Sequence, residues 1–216
     1  MRSRVVGIDP SDPEADVLRT VAGILAADGV MAYPTETFYG LGAVLFSRKA
    51  VRRVFRLKAR DAGKPLSLIV SDIDMIEEIA AELPTVFPLL AAEFWPGPLT
   101  LVLKAAPTFP AEFAGPGHTV AVRIPPAAWL RGLVAEIGLP VTATSANVSG
   151  EKELSDPAEV IRLFDGKVDV IVDGGSTPGG LPSTIVDLSA GEPRFLREGA
   201  VPAVAVRACL GLGSGK

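Results

Sequence analysis

AAWLRGLVAEIGLPVTATSANVSG, residues 127–150, reads as a helix to about Ile137, a strand from Val141 to Thr144 and then a tight loop at the strand's end. Ile137 to Gly150 is the longest stretch of the chain without a charge, and it carries the hydroxyls of Thr144, Ser145 and Ser149 beside the amide of Asn147. Such a loop can simply satisfy its own backbone, because Ser and Asn side chains bond readily to neighbouring main chain. Its position argues for a ligand instead, since open α/β sheets bind ligands beyond the ends of their strands.

The same alternation extends in both directions. Asp12-Pro13-Glu14 supplies a cap, a first-turn proline and early acids for a helix whose apolar stripe is Val17, Leu18, Val21, Ile24 and Leu25. Gly29 ends it, and Val30 to Tyr33 predicts a short buried strand running into PTETFYGLG, residues 34–42. Ser47 caps a second helix to about Ala59, and Leu66 to Val70 is a strand. A helical region from Ile73 to Phe94 is broken at Pro84. Strands follow at Leu99 to Leu103 and Val120 to Ile124. Beyond the opening stretch come a helix from Pro157 to Phe164 and strands near Val168 to Val172, Thr184 to Leu188 and Arg194 to Leu196. Interleaved helices and strands make the class α/β. No repeat or Gly/Ser-rich linker divides the chain, which reads as a single domain over 1–216 with its core at about 12–206 and a frayed tail at 211–216.

Composition narrows the function. A chain of 216 residues can bury roughly 70% of its unfolded surface, and 48% hydrophobic with 21% charged residues is ordinary for a globular enzyme. No stretch reaches the ~20 apolar residues of a membrane span, and the first residues lack the apolar block of a secretory signal, so no membrane is expected and the cytoplasm is the expected compartment. With Cys209 and His118 the sole residues of their types, a zinc or iron–sulfur centre is not expected.

Charge is unevenly placed. Eight basic residues and one acid lie between Arg48 and Lys64, leaving 13 basic against 24 acidic residues elsewhere on a chain of net charge −4. One basic element on an acidic protein suits a compact polyanion such as a nucleotide better than a long phosphate track. In the second helix, Val51, Val54 and Phe55 define the buried face, with Ala50 and Leu57 flanking, while Arg48, Lys49, Arg52, Arg53 and Arg56 point away. Lys58 falls between Val54 and Phe55 on the inward face, where its ammonium needs an anionic partner, a cleft, or a path past the helix end. The outward arginines read equally as a solvated face.

Thr35, Glu36, Thr37 and Tyr39 crowd hydrogen-bonding groups between Tyr33 and two glycines, Gly40 and Gly42, which are expected to let a ligand approach the backbone. GGSTPGG, residues 174–180, is by itself a flexible loop, and His118 is a structural histidine. No nucleophile elbow, phosphate-binding lysine loop or dinucleotide fingerprint is present.

PTETFYGLG, Lys58-Ala59-Arg60 with Lys64-Pro65-Leu66-Ser67, FWPGPLTLVL at 94–103, VAVRIP at 120–125, Ser145-Ala146-Asn147, PSTIVD at 182–187 and LREGAV at 196–201 together resemble the YrdC family, in order, from about Asp12 to Val201. The resemblance implies one α/β domain on a twisted mixed sheet flanked by helices, with a concave ligand cleft. It implies a nucleotidyltransferase that joins L-threonine, bicarbonate or CO2 and ATP into threonylcarbamoyl-AMP and pyrophosphate, with Mg2+ riding on the ATP phosphates. The product feeds tRNA threonylcarbamoyladenosine modification, completed by separate transfer proteins. By the same resemblance Lys58 and Arg60 are catalytic and hold the triphosphate, with Thr144, Ser145, Asn147 and Arg197 on the nucleotide. Thr35, Tyr39, Arg123 and Ser183 are candidates for threonine, Arg123 for its carboxylate.

Many relatives carry a histidine near Ile69, so the threonine pocket is expected to differ in detail here. Asp61 stands where a proline is common, and the chain resembles the short form without an extra C-terminal domain. Two alternatives stay open: a paralogous carbamoyl-adenylate enzyme, and an RNA- or ribosome-associated module binding weakly through Arg48, Arg52, Arg53 and Arg56.

Overall fold

The computed structural model describes residues 2–58, 67–148 and 150–212. Its elements run β1 (Arg4–Gly7), α1 (Ala15–Ala26), β2 (Met31–Tyr33), β3 (Gly40–Gly42), α2 (Arg48–Leu57), β4 (Ser67–Ile69), α3 (Asp74–Glu77), α4 (Phe87–Phe94), β5 (Leu99–Lys104), β6 (Thr119–Arg123), α5 (Ala128–Ile137), β7 (Val141–Ser145), α6 (Pro157–Phe164), β8 (Val170–Asp173), β9 (Thr184–Asp187), β10 (Arg194–Arg197) and α7 (Ala203–Cys209). The strands form one mixed sheet in the order β1-β8-β2-β3-β7-β4-β6-β5-β9-β10. Among the described residues no helix is long and apolar enough to cross a membrane.

The elements follow from their sequences with few departures. Ser47 caps α2 by accepting from the Ala50 amide at 3.2 Å, and Ala50, Val51 and Val54 are its buried residues. The helix ends at Leu57 with Lys58 as its C-cap; Ala59, the expected end, lies outside the described residues. Helix α1 begins at Ala15, later than Asp12-Pro13-Glu14 suggested, and its N-cap Glu14 makes no side-chain cap bond. The helical region expected from Ile73 to Phe94 is interrupted well before Pro84: α3 ends at Glu77, Ala80 bridges to Ala105, and α4 starts at Phe87.

Three elements were not legible beforehand. β3 is Gly-Leu-Gly, poor strand material, made a strand by antiparallel partners on both sides, Met31↔Gly42 on β2 and Gly40↔Ser145 on β7. β1 is an edge strand that pairs in parallel with β8, far along the chain. α7 is a short helix that packs against α4.

The sheet's register creates the cleft floor. Ala143 on β7, Ser67 on β4, Ala121 on β6 and Val102 on β5 are successive cross-strand partners, and side chains so paired share one face. Three of these four positions are small. The face is thereby hollowed, while the fully buried Val122, Leu101 and Leu103 alternate with them and belong to the continuous apolar core.

Candidate active site

The hollow opens into a cleft of about 480 Å³. Thr35, Tyr39, Lys58, Arg123, Thr144, Ser145, Asn147, Ser183 and Arg197 all line it, although they span most of the chain. Arg60, the remaining candidate, lies outside the described residues, as do Lys64 and the segment between them.

At one end stands Lys58. It is 4% exposed, and its Nζ donates to the Ser145 carbonyl at 2.7 Å, to Ser145 Oγ at 3.3 Å and to Asn147 Oδ1. Ser145 Oγ also donates to Asn147 Oδ1 at 2.7 Å, and Asn147 Nδ2 donates to the Glu151 carbonyl. The polar loop after β7 thus gives the inward ammonium its acceptors. A buried ammonium needs such partners to remain charged.

At the other end, β9 and β10 supply a second basic group. Arg197 donates through Nε to the Ser183 carbonyl at 2.9 Å and through Nη2 to Ser183 Oγ at 3.1 Å; that hydroxyl lies 3.0 Å from Thr100 Oγ1. Loss of solvent lowers the pKa of Arg197 from its ordinary value, and Glu153 opposes the shift. Behind them Thr184 closes the turn: its hydroxyl donates to the Val201 carbonyl and accepts from the amides of Gly199 and Val201.

Between these ends, Arg123 emerges from β6 and is ion-paired with Glu36. Tyr39 donates its hydroxyl to the Gly175 carbonyl at 2.8 Å, and burial pushes its pKa up to about 12. The amide of Gly179 donates to the Thr37 carbonyl and that of Thr177 to the Ser155 carbonyl, so the glycine-rich segment after β8 is pinned across PTETF.

Two expectations need correction. A side chain at Gly40 or Gly42 would meet the Tyr33 ring at 2.9 Å; Gly40 lines the cleft as expected, whereas Gly42 does not and serves the packing of a fully buried tyrosine. Ile69 is fully buried and is not among the cleft residues; Ser67 is the β4 residue that lines it. Sequence reasoning also missed Thr100, Glu153 and the small residues of the floor. Each strand contributes one residue to the floor, so the register was needed to align them.

Among the described residues, three of the five outward cations of α2 are ion-paired with two carboxylates. Arg48 and Arg52 reach Glu112 at 3.3 Å each, and Arg53 reaches Asp169 at 2.6 Å. His118 approaches the Ala106 carbonyl at 3.1 Å and takes no part in the cleft, consistent with a structural histidine.

A family model described as "Telomere recombination", covering Sua5, YciO and YrdC, matches residues 23–199. A threonylcarbamoyl-AMP synthase of Pyrococcus abyssi is 38% identical over 194 residues, 90% of this chain and 57% of the relative. Another from Thiobacillus denitrificans is 38% identical over 168 residues, 78% of this chain and 89% of the relative. The crystal structure of P. abyssi Sua5 complexed with L-threonine is similar with a TM-score of 0.91 at 36% identity, over 97% of this chain and 61% of that one. The chain therefore spans less than two thirds of the length of the Pyrococcus relative.

Proposed function

The chain belongs to the Sua5/YciO/YrdC family, and from that membership we propose that it makes threonylcarbamoyl-AMP from L-threonine, bicarbonate or CO2 and ATP, releasing pyrophosphate. One observation carries the reading. Lys58, Arg123 and Arg197 line one cleft together with Ser145, Asn147 and Ser183, in a fold whose Pyrococcus counterpart was solved with L-threonine.

The reaction joins an amine, a one-carbon acid and a phosphoryl group. The threonine nitrogen attacks the carbon of CO2 and loses a proton, or that of bicarbonate with loss of water, forming a carbamate. A carbamate oxygen then attacks the α-phosphorus of ATP, and the bond to pyrophosphate breaks. Negative charge gathers at the phosphorus, so fixed cations and placed donors are what the protein must contribute. Lys58, held by Ser145 and Asn147, is suited to the α-phosphate end, with Arg60 beside it in chain order. Thr144, Ser145 and Asn147 would hold the nucleotide, with Arg197 closing on it from β10. Arg123 offers a guanidinium to the threonine carboxylate, with Thr35, Tyr39 and Ser183 around it.

Magnesium enters this reading as part of the ATP complex. Among the described residues no group of three or more His, Cys, Asp or Glu side chains stands where it could hold a metal ion. The product would pass to transfer proteins that modify tRNA, and the cytoplasm is the compartment such a role calls for. The domain as given is read as one unit, and RNA contact through α2 is not needed by the chemistry.

The test is pyrophosphate release by the purified chain given ATP, Mg2+ and bicarbonate, with and without L-threonine and with L-serine as control. Release that needs both threonine and bicarbonate is expected. Release indifferent to threonine would transfer the cleft to a paralogous activity.

A further inference from the structure

Glu36 takes no part in the steps above, yet it is bound to the side chain that faces the amino acid. Arg123 donates through Nη1 to Oε1 of Glu36, with the two side chains only 10% and 18% exposed. The other carboxylate oxygen, Oε2, is shielded from solvent and has no hydrogen-bond partner among the described residues. Removing both charges from water is unfavourable, and an unpaired oxygen makes it more so, so a pair of this kind is weak as a stabilising device. It needs another reason to exist.

The loop that carries Glu36 is held at several points. Thr35 Oγ1 donates to the Phe38 carbonyl at 2.7 Å and accepts from the Thr37 amide at 3.2 Å. The Thr37 carbonyl accepts from the Gly179 amide at 2.7 Å, and the Tyr39 amide donates to the Leu154 carbonyl at 2.8 Å. A carboxylate on so constrained a turn fixes whatever it grips. A guanidinium has five N–H donors in one plane, so a partner on one edge sets the direction of the rest.

Resting on the reading of Arg123 as partner of the threonine carboxylate, we propose that Glu36 is a positioning residue, which holds one edge of the Arg123 guanidinium so that its remaining donors meet the amino acid. The role depends on reach rather than on charge alone. Aspartate keeps the charge and shortens the reach by one methylene; glutamine keeps the reach and an acceptor oxygen but loses the charge.

The experiment is calorimetric titration of the whole chain with L-threonine and, separately, with ATP, for the wild type, Glu36→Ala, Glu36→Asp, Glu36→Gln, Arg123→Ala and the Glu36→Ala/Arg123→Ala double variant. Glu36→Ala and Glu36→Asp are each expected to weaken threonine binding by about tenfold, the scale of one charge-assisted hydrogen bond, with ATP affinity unchanged within about twofold. Glu36→Gln is expected to retain most of the affinity. In the Arg123→Ala background the loss of Glu36 should add nothing, because a residue that acts through another shows no effect without it. Unchanged threonine affinity in Glu36→Ala, an equal loss for ATP, or an undiminished loss in the Arg123→Ala background would overturn the proposal. If Glu36→Ala does not fold, the comparison of Glu36→Asp with Glu36→Gln decides: aspartate must bind threonine more weakly than glutamine, and equality or the reverse overturns it. A wild type that binds no threonine overturns the functional reading and this inference together, whereas a wild type that binds it with insensitive Glu36 variants overturns this inference alone.

Discussion

Lys58 Nζ and the Ser145 carbonyl are 2.7 Å apart, although 87 residues separate them in the chain. The contact joins the C-cap of α2 to the last residue of β7, so the end of a basic helix and the polar loop after a strand form one end of the cleft. Lys58 is buried because α2 turns that face inward, and the loop offers its Nζ a carbonyl, a hydroxyl and an amide oxygen.

Removing the Lys58 ammonium should therefore affect the chemistry more than nucleotide binding. Lys58→Ala is expected to reduce pyrophosphate release by about 10²-fold or more, the usual cost of losing a placed cation or donor at developing charge. Lys58→Arg should not restore it, since a planar fork cannot occupy the position of a compact ammonium. Steady-state assays of both variants check this, and turnover within a few-fold of wild type would reject the role.

Gly42 is required by packing. A Cβ there would lie 2.8 Å from the Thr142 carbonyl oxygen, a backbone atom of the adjacent strand, and 2.9 Å from the Tyr33 ring. Gly42→Ala is expected to destabilise the fold by about 1–3 kcal/mol through overpacking. Gly132, inside α5, is the contrast: its Cβ would meet only Leu18 Cδ1 at 3.7 Å, so Gly132→Ala should stabilise by about 0.5–1 kcal/mol. Urea unfolding of both variants should move the midpoint in opposite directions.

Thr184 is fully buried, and its hydroxyl serves two amides and a carbonyl of the 199–201 turn. Thr184→Val keeps the shape but leaves those groups unpaired, at a cost on the order of 3 kcal/mol. Thr184→Ser should lose much less. Because that turn follows Arg197, the valine variant should also raise the KM for ATP, a change that melting curves alone would not reveal.

Tyr39 sets a limit at alkaline pH. Burial raises its pKa from 10 to about 12, so the folded chain holds the phenolic proton more tightly than the unfolded chain does. Its contribution is present in full below pH 10. Between pH 10 and 12 the unfolded state loses its proton first, and stability falls as pH rises. Tyr39→Phe should show a shallower decline of stability across that window in denaturant titrations. Tyr33, raised beyond that range by burial, is common to both proteins.

The α/β class and most of the elements were legible because each rests on local chemistry. Ser47 is a good cap wherever it stands, and Lys58 follows Val54 by four residues and so shares the inward face of α2. The candidate residues were legible through motifs, and the cleft lining includes all of them within the described residues. Gly42, unlike Gly40, does not line the cleft, and this was not legible because a glycine's sequence context does not tell whether a ligand or a tyrosine ring lies against it.

The residues that make the helices, the strands and the polar loops therefore belong to the sequence itself, since propensity, capping and hydrophobic period act within a few positions. Only the tertiary structure decided that Gly-Leu-Gly is a strand, that Ala143, Ser67, Ala121 and Val102 align as one floor, and that Glu36 grips Arg123 across 87 residues. Those are long-range pairings, and a pleated strand has a period of two. A shift of one residue in register would have turned every floor side chain to the opposite face, and no local preference prevents that shift.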